Sequence, residues 1–226
     1  MTIHDKNFPN ESEEYRVARD KLLQKEIELR EQIESLNELR RVLPLGGEIK
    51  ENYEFRRVND DTAVKFSQLF APGKDTLVLY SFMFAPDAAH PCTSCNAIGD
   101  SFDGNIPHLE DRVNFYIVTK APVTKMKAWA ETRGWRNLQM LSSTYNYYNR
   151  DYLAENDEGF QMPMLNVFVK RPEGIFHTYG TELLYTRFEK GDPRHVDMLW
   201  PLWNVFDLTP EGRGGLWYPK LIYKPS

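Results

Sequence analysis

The first part of the chain carries apolar residues at helical spacing. Between residues 11 and 42 they recur at steps of three, four or seven, which predicts one long amphipathic helix. The stripe consists of Tyr15, Ala18, Leu22, Leu29, Ile33 and Leu36. Asn10 is the expected N-cap, with Glu13 completing a capping box. Pro44 and the glycine pair at 46–47 end the predicted helix.

The length of this helix bears on assembly. About 32 residues at 1.5 Å per residue give about 48 Å, which exceeds the width of a small domain. The apolar stripe can therefore pack against a second copy of the chain or lie across its own domain. We expect a homodimer that forms through this helix.

Strands and helices alternate in the rest of the chain. Residues 76–84 and 113–119 are apolar without polar alternation, which predicts strands buried on both faces. Val123–Arg133 follows as an amphipathic helix, and residues 164–169 and 175–179 predict a hairpin. Alternation implies parallel pairing, and the hairpin adds an antiparallel edge. The predicted fold class is therefore α/β, with a mixed central sheet, helices on both of its faces, and the long N-terminal helix.

Composition shifts indicate how the chain is organised. We predict a helical arm over residues 1–47 and a main domain over residues 48–226. Residues 140–161 are rich in Ser, Tyr, Asn and Asp, which indicates an insertion. Residues 181–226 form an aromatic-rich C-terminal extension, whose tryptophans we expect to serve packing.

Charge and composition exclude several classes of function. The 226 residues carry a net charge of −5, so a nucleic-acid partner is disfavoured. No apolar run approaches the roughly 20 residues that a membrane span needs. The N-terminus has no apolar stretch of the kind found in secretory signals, which predicts a cytoplasmic location. No glycine-rich phosphate loop is found, so we expect no cofactor.

The chain has only two cysteines, and they form the motif Cys92-Thr93-Ser94-Cys95 directly after a predicted buried strand. A helix that begins near Cys92 would lower its thiol pKa below the free value of about 8.5, because helix N-termini stabilise negative charge. Cys95, one turn later, lies on the same face and can resolve a mixed disulfide. We therefore predict Cys92 as the nucleophile and Cys95 as the resolving thiol.

Neighbouring polar side chains can tune these thiols. The hydroxyl groups of Thr93 and Ser94 can donate hydrogen bonds to a thiolate. His90, if protonated near the sulfur, would stabilise the same charge. We expect all three to belong to the substrate-binding surface.

A proline before the predicted hairpin completes a wider pattern. The order of buried strand, Cys-x-x-Cys at a helix start, strand, helix, and proline before a hairpin resembles the thioredoxin superfamily. The resemblance implies that Pro163 corresponds to the family's cis-proline, which faces the dithiol and guides the substrate, with Met162 beside it. The chain departs from thioredoxin itself in two ways: Thr-Ser stands between the cysteines, and no Trp precedes them. The preceding strand also carries no obvious buried Asp to accept a proton.

Motifs spread over nearly the whole chain point to a narrower family. They are Phe8-Pro9-Asn10-Glu11-Ser12, Tyr15-Arg16, Leu43-Pro44-Leu45-Gly46-Gly47, Phe82-Met83-Phe84, Pro91 to Cys95, Arg133-Gly134-Trp135, Phe176-His177-Thr178-Tyr179 and Asp207-Leu208-Thr209-Pro210. By these residues the chain is identified as a member of bacterial domain-of-unknown-function family 899, predicted dithiol–disulfide oxidoreductases with a thioredoxin-like fold. The resemblance implies thiol–disulfide exchange with a protein or small-molecule thiol or disulfide.

The sequence also allows other functions for the two cysteines. With His108 and a fourth ligand such as His90 they could bind zinc, although we expect no metal. A thioredoxin-like thiol peroxidase usually places Thr three residues before its cysteine, where this chain has Ala89. A non-catalytic thioredoxin-like binding module would use the aromatic extension as its surface. The tyrosine cluster at 145–149 could line a pocket over the dithiol or cap the edge of the sheet.

Overall fold

The chain folds into two compact units, Met1–Pro44 and Leu45–Ser226. The computed structural model describes residues 3–189, 192–213 and 217–223. No helix in these ranges is long and apolar enough to cross a membrane.

One helix, α1 (Glu13–Arg41), makes up most of the first unit. It begins later than predicted, because Ser12 and not Asn10 is the N-cap. The Ser12 hydroxyl accepts a hydrogen bond from the backbone N–H of Tyr15 at 3.1 Å, whereas Asn10 has a left-handed φ of 59°. Acidic residues in the first turn and basic residues in the last complement the helix dipole.

A seven-stranded mixed sheet forms the centre of the second unit. Its strands are β1 (Glu54–Arg57), β2 (Ala63–Lys65), β3 (Thr76–Ser81), β4 (Asn114–Thr119), β5 (Met140–Ser142), β6 (Leu165–Arg171) and β7 (Gly174–Gly180). The helices are α2 (Thr93–Asp103), α3 (Ile106–Glu110), α4 (Val123–Arg133), α5 (Tyr148–Asp151) and α6 (Pro201–Asp207).

The strand order is β2-β1-β5-β4-β3-β6-β7. β3, β4 and β5 are parallel and are joined through α2 and α4, whereas β6 pairs antiparallel with β3 and forms a hairpin with β7. This is the thioredoxin-like arrangement that the sequence predicts, with the cysteine-bearing helix after the central strand. α4 has its predicted bounds and ends at Gly134, whose φ of 72° is the left-handed conformation typical of a helix C-cap.

β5 is an element that the sequence did not predict. It lies within residues 140–161 and pairs with β4 on one side and β1 on the other. All of its residues are buried, which explains why a segment with polar neighbours still adds a strand to the sheet.

The two faces of the sheet carry separate apolar cores. On β3, alternate side chains point to opposite faces. Tyr80 faces the core that includes α2, α4, Trp200 and Trp203. Leu77 and Leu79 face a second core, whose other members include Phe55, Tyr148 and Phe168. Helices α2, α4 and α6 therefore pack on the first face, together with the cysteines, and the short helix α5 packs on the second.

Candidate functional site

The first cysteine occupies the N-cap of α2, as the sequence predicts. The backbone N–H of Cys92 donates to the carbonyl of Met83 at 3.0 Å, and the N–H of Asn96 donates to the carbonyl of Cys92 at 3.0 Å. The first bond fixes the loop after β3, and the second opens the helix. The sulfur of Cys92 therefore sits where unpaired helical amides are concentrated.

The two free thiols differ in exposure and acidity. Cys92 is half-buried and Cys95 is buried. Hydrogen bonding from the Cys95 thiol lowers the pKa of Cys92 to about 6, helped by the backbone amides of Cys95 and Ser94 and by the Ser94 hydroxyl, and opposed by burial. Burial raises the pKa of Cys95 well above its ordinary value, and hydrogen bonding to Cys92 adds to this. The first proton to leave the pair is therefore that of Cys92.

A tyrosine on the central strand contacts the second thiol. The Tyr80 hydroxyl donates to the sulfur of Cys95 at 3.2 Å, and this bond lowers the pKa of Cys95 against the larger effect of burial. The sequence offered one signal for it, a tyrosine hydroxyl on the buried strand that precedes the cysteines. Tyr80 thus supplies a polar contact from the strand on which no buried Asp was found.

A cavity of about 310 Å³ opens onto both sulfurs. Elements distant in sequence build its wall: β3 and the loop after it, α2, the segment before β6, and the C-terminal extension. The lining side chains include Tyr80, Met83, Cys92, Ser94, Cys95, Ile98, Met162, Pro163, Leu184, Asp192, His195, Val196, Trp200, Trp203 and Tyr218.

The predicted substrate-binding residues divide into two groups. Met162, Pro163 and Ser94 line the cavity beside the cysteines. His90 and Thr93 do not line it. The exposed His90 ring instead packs against Trp129, with 5.9 Å between ring centroids.

The peptide bond before Pro163 is trans, which corrects the expectation of a cis-proline, since no described peptide bond is cis. Backbone hydrogen bonds hold both sides of this bond. The N–H of Met162 donates to the carbonyl of Ala154 at 2.9 Å, and the N–H of Ser81 donates to the carbonyl of Met164 at 2.7 Å. The trans form satisfies both pairings and is also the intrinsically favoured isomer.

The C-terminal extension forms the outer wall of the cavity. Trp200 and Trp203 pack edge to face with 5.2 Å between centroids, in agreement with the packing role expected from the sequence. They also face the dithiol, which the sequence did not indicate. The tyrosine cluster does not line this cavity, because Tyr145 lies in a separate cleft and Tyr148 is buried in the core on the opposite face.

His195 is a titratable group in the cavity wall that the sequence analysis missed. Burial lowers the pKa of its imidazole, against the effect of Asp192 and Asp197. Its buried Nδ1 has no hydrogen-bond partner among the described residues. The ring is therefore a neutral imidazole at neutral pH.

Metal binding was the main alternative for the cysteines. Among the residues described, no group of three or more His, Cys, Asp or Glu side chains lies where it could hold a metal ion. The dithiol, His90 and His108 thus form no such cluster.

Comparison with known proteins identifies a family and several similar structures. Residues 5–222 match the model of a family described as bacterial protein of unknown function, DUF899. Among curated proteins no match was found.

Solved structures with a similar backbone fold include a peroxidoxin, a peroxiredoxin and an uncharacterized protein. Peroxidoxin BcpB from Mycobacterium tuberculosis shares 16% identity at a TM-score of 0.45, over 70% of this chain and 94% of that one. Peroxiredoxin Q from Xanthomonas campestris shares 13% identity at a TM-score of 0.47, over 70% and 92%. An uncharacterized conserved protein from Geobacillus kaustophilus shares 16% identity at 0.46, over 67% and 76%. Because these identities and TM-scores are low, the three structures support no statement about the function of this chain.

Proposed function

The chain belongs to the bacterial family of unknown function DUF899, and from that premise we propose that it is a thiol–disulfide oxidoreductase. Cys92 is the nucleophile and Cys95 the resolving thiol. The observation that carries the proposal is that two free thiols in one cavity differ in their exposure and in their pKa. One is accessible with a pKa lowered to about 6, and the other is buried with a raised pKa.

This inequality suits two successive exchange steps. The Cys92 thiolate attacks one sulfur of a disulfide, forms a mixed disulfide, and expels the other sulfur as a thiolate. The Cys95 thiol then gives up its proton and attacks the Cys92 sulfur, which expels the second thiolate and closes the Cys92–Cys95 disulfide. Two electrons pass to the substrate. Two equivalents of an external thiol, which are oxidised to their own disulfide, return the protein to its reduced form.

The proposal includes a cytoplasmic location, since reducing thiol pools there would regenerate the dithiol.

A thiol peroxidase would use the same Cys92 thiolate against a peroxide and remains the second candidate. It differs in its oxidant, so one assay separates the two functions.

That assay exposes the reduced protein anaerobically to hydroxyethyl disulfide or to hydrogen peroxide. We expect the disulfide to consume both thiols and to leave a Cys92–Cys95 disulfide, seen by mass spectrometry as the loss of two hydrogens. Cys92→Ser is the control that should not react. If the dithiol reacts with hydrogen peroxide but not with hydroxyethyl disulfide, the thiol peroxidase replaces the proposed oxidoreductase. If neither oxidant changes the dithiol, both functions are refuted.

We also propose that α1 mediates homodimer formation. Tyr15, Leu22, Leu29 and Leu36 follow one another at intervals of seven residues and are exposed. This spacing places them on one seam, and a seam of this kind is typical of helices that pair with a second helix.

Light scattering should therefore give about twice the chain mass of 26.5 kDa. Leu22→Glu combined with Leu29→Glu should give the monomer, because charge in the seam opposes pairing. Val17→Glu combined with Gln24→Glu adds the same charge at exposed positions about 200° around the helix from Tyr15 and Leu22, and this variant should stay dimeric. A monomeric wild type at high concentration would contradict the proposal.

A further inference from the structure

The wall of the dithiol cavity is largely apolar. Beyond the two sulfurs it consists mainly of aliphatic, thioether and aromatic side chains. These are Met83, Ile98, Met162, Pro163, Leu184, Pro193, Val196, Trp200 and Trp203. Such a wall favours a ligand that buries hydrocarbon next to its sulfur atoms.

The described part of the cavity wall has no cationic side chain that could pair with an anionic ligand. Its described lining residues include no Lys or Arg. Asp192 contributes a carboxylate, which is paired with Arg213 at 3.5 Å. His195 is neutral at neutral pH because burial lowers its pKa. A ligand with several free carboxylates would lose hydration here without pairing with a cationic side chain among the described lining residues.

The size of the cavity restricts the substrate further. A volume of about 310 Å³ lies near the lower end of the range of roughly 300–1,000 Å³ typical of small-molecule sites. Trp200 and Trp203 of the C-terminal extension line this cavity together with both cysteines and pack in the same apolar core. A small disulfide needs less of the enclosed space beside Cys92 than a polypeptide segment does.

We infer that the dithiol acts on a small, uncharged, apolar disulfide, and this inference rests on the proposed function. Such a disulfide, RSSR, takes up the two electrons of the dithiol. Cys92 bonds to one sulfur and releases RS⁻, Cys95 then bonds to Cys92 and releases the second RS⁻, and two RSH result after protonation. An added dithiol such as dithiothreitol restores the reduced protein in the assay.

Dipropyl disulfide and hydroxyethyl disulfide test the inference, because they have the same number of heavy atoms and differ in methyl against hydroxyl ends. Each rate is divided by the rate of the same disulfide with the thiolate of N-acetylcysteine amide, a reference thiol without a carboxylate, which corrects for intrinsic reactivity. Burial of the two methyl groups should then make dipropyl disulfide about tenfold faster. Glutathione disulfide, which is anionic, and insulin, which is a protein disulfide, should be slower than both.

A variant of the cavity wall sharpens the test. Leu184→Arg places a cation in the lining and should reduce the preference for dipropyl disulfide while it raises the relative rate of glutathione disulfide. Its neighbour Leu183 is exposed and lies outside the lining, so Leu183→Arg should keep the wild-type preference.

Equal normalised rates, or glutathione disulfide or insulin as the fastest substrate, would overturn the inference and leave the oxidoreductase intact. Failure of all four disulfides to oxidise a protein whose Cys92 still reacts with iodoacetamide would overturn the proposed function itself.

Discussion

Replacing Cys95 with serine should trap the protein as a mixed disulfide at Cys92, and replacing Cys92 should abolish reaction. Without Cys95 the first exchange still occurs, but no internal thiol can expel the second half of the substrate. Without Cys92 only the buried thiol remains, with a pKa raised by burial. We expect its reaction to be at least about a thousandfold slower, as is typical when a nucleophile is removed.

Mass spectrometry after exposure to hydroxyethyl disulfide measures both effects. The Cys95→Ser protein should carry one mercaptoethanol adduct, which peptide mapping places on Cys92. The wild type, treated identically, should carry the internal disulfide and no lasting adduct. An adduct that forms equally well in the Cys92→Ser protein would show that the roles of the two thiols are wrongly assigned.

Local patterns predicted most of the fold. The apolar segment that contains β3, the helical spacing of α4 and its glycine stop are properties of short segments, and they predicted the elements found. The start of α1 was misplaced by two residues, because Asn10 and Ser12 are both competent N-caps and only the backbone decides between them. β5 escaped prediction, since a strand of three residues gains its stability from the neighbours that flank it.

The candidate site was predictable only in part. The dithiol and its helix start follow from the sequence around Cys92, and Met162 and Pro163 follow from the family resemblance. The contact of Tyr80 with Cys95 depends on how α2 packs against β3, 15 residues earlier in the chain. The position of His195 and the aromatic wall depend on how segments about 100 residues apart in the sequence come together. Nothing in the local composition of the extension distinguishes tryptophans that only pack from tryptophans that also face a thiol.

Reactivity of Cys92 should follow a titration centred near pH 6, where the structure places its pKa. At pH 7 about 90% of this thiol would be thiolate, against about 3% for a free cysteine with a pKa of about 8.5. A less basic thiolate is also intrinsically less nucleophilic, here by about tenfold. The midpoint of the profile is therefore more diagnostic than the absolute rate.

Two neighbouring hydroxyl groups provide matched variants for this profile. The Ser94 hydroxyl helps to lower the pKa of Cys92, so Ser94→Ala should move the midpoint to higher pH. Thr93→Ala removes a hydroxyl that is not among the groups that lower this pKa, and it should leave the midpoint in place.

The most direct test of a dithiol prepared for exchange is the rate of iodoacetamide alkylation of the reduced protein between pH 4.5 and 9.5, with the adduct located by peptide mapping. We predict that Cys92 alone reacts below pH 8, with a half-maximal rate near pH 6 and a plateau above about pH 7.5. A rate that is still rising at pH 8.5, or alkylation of Cys95 before Cys92, would contradict the account.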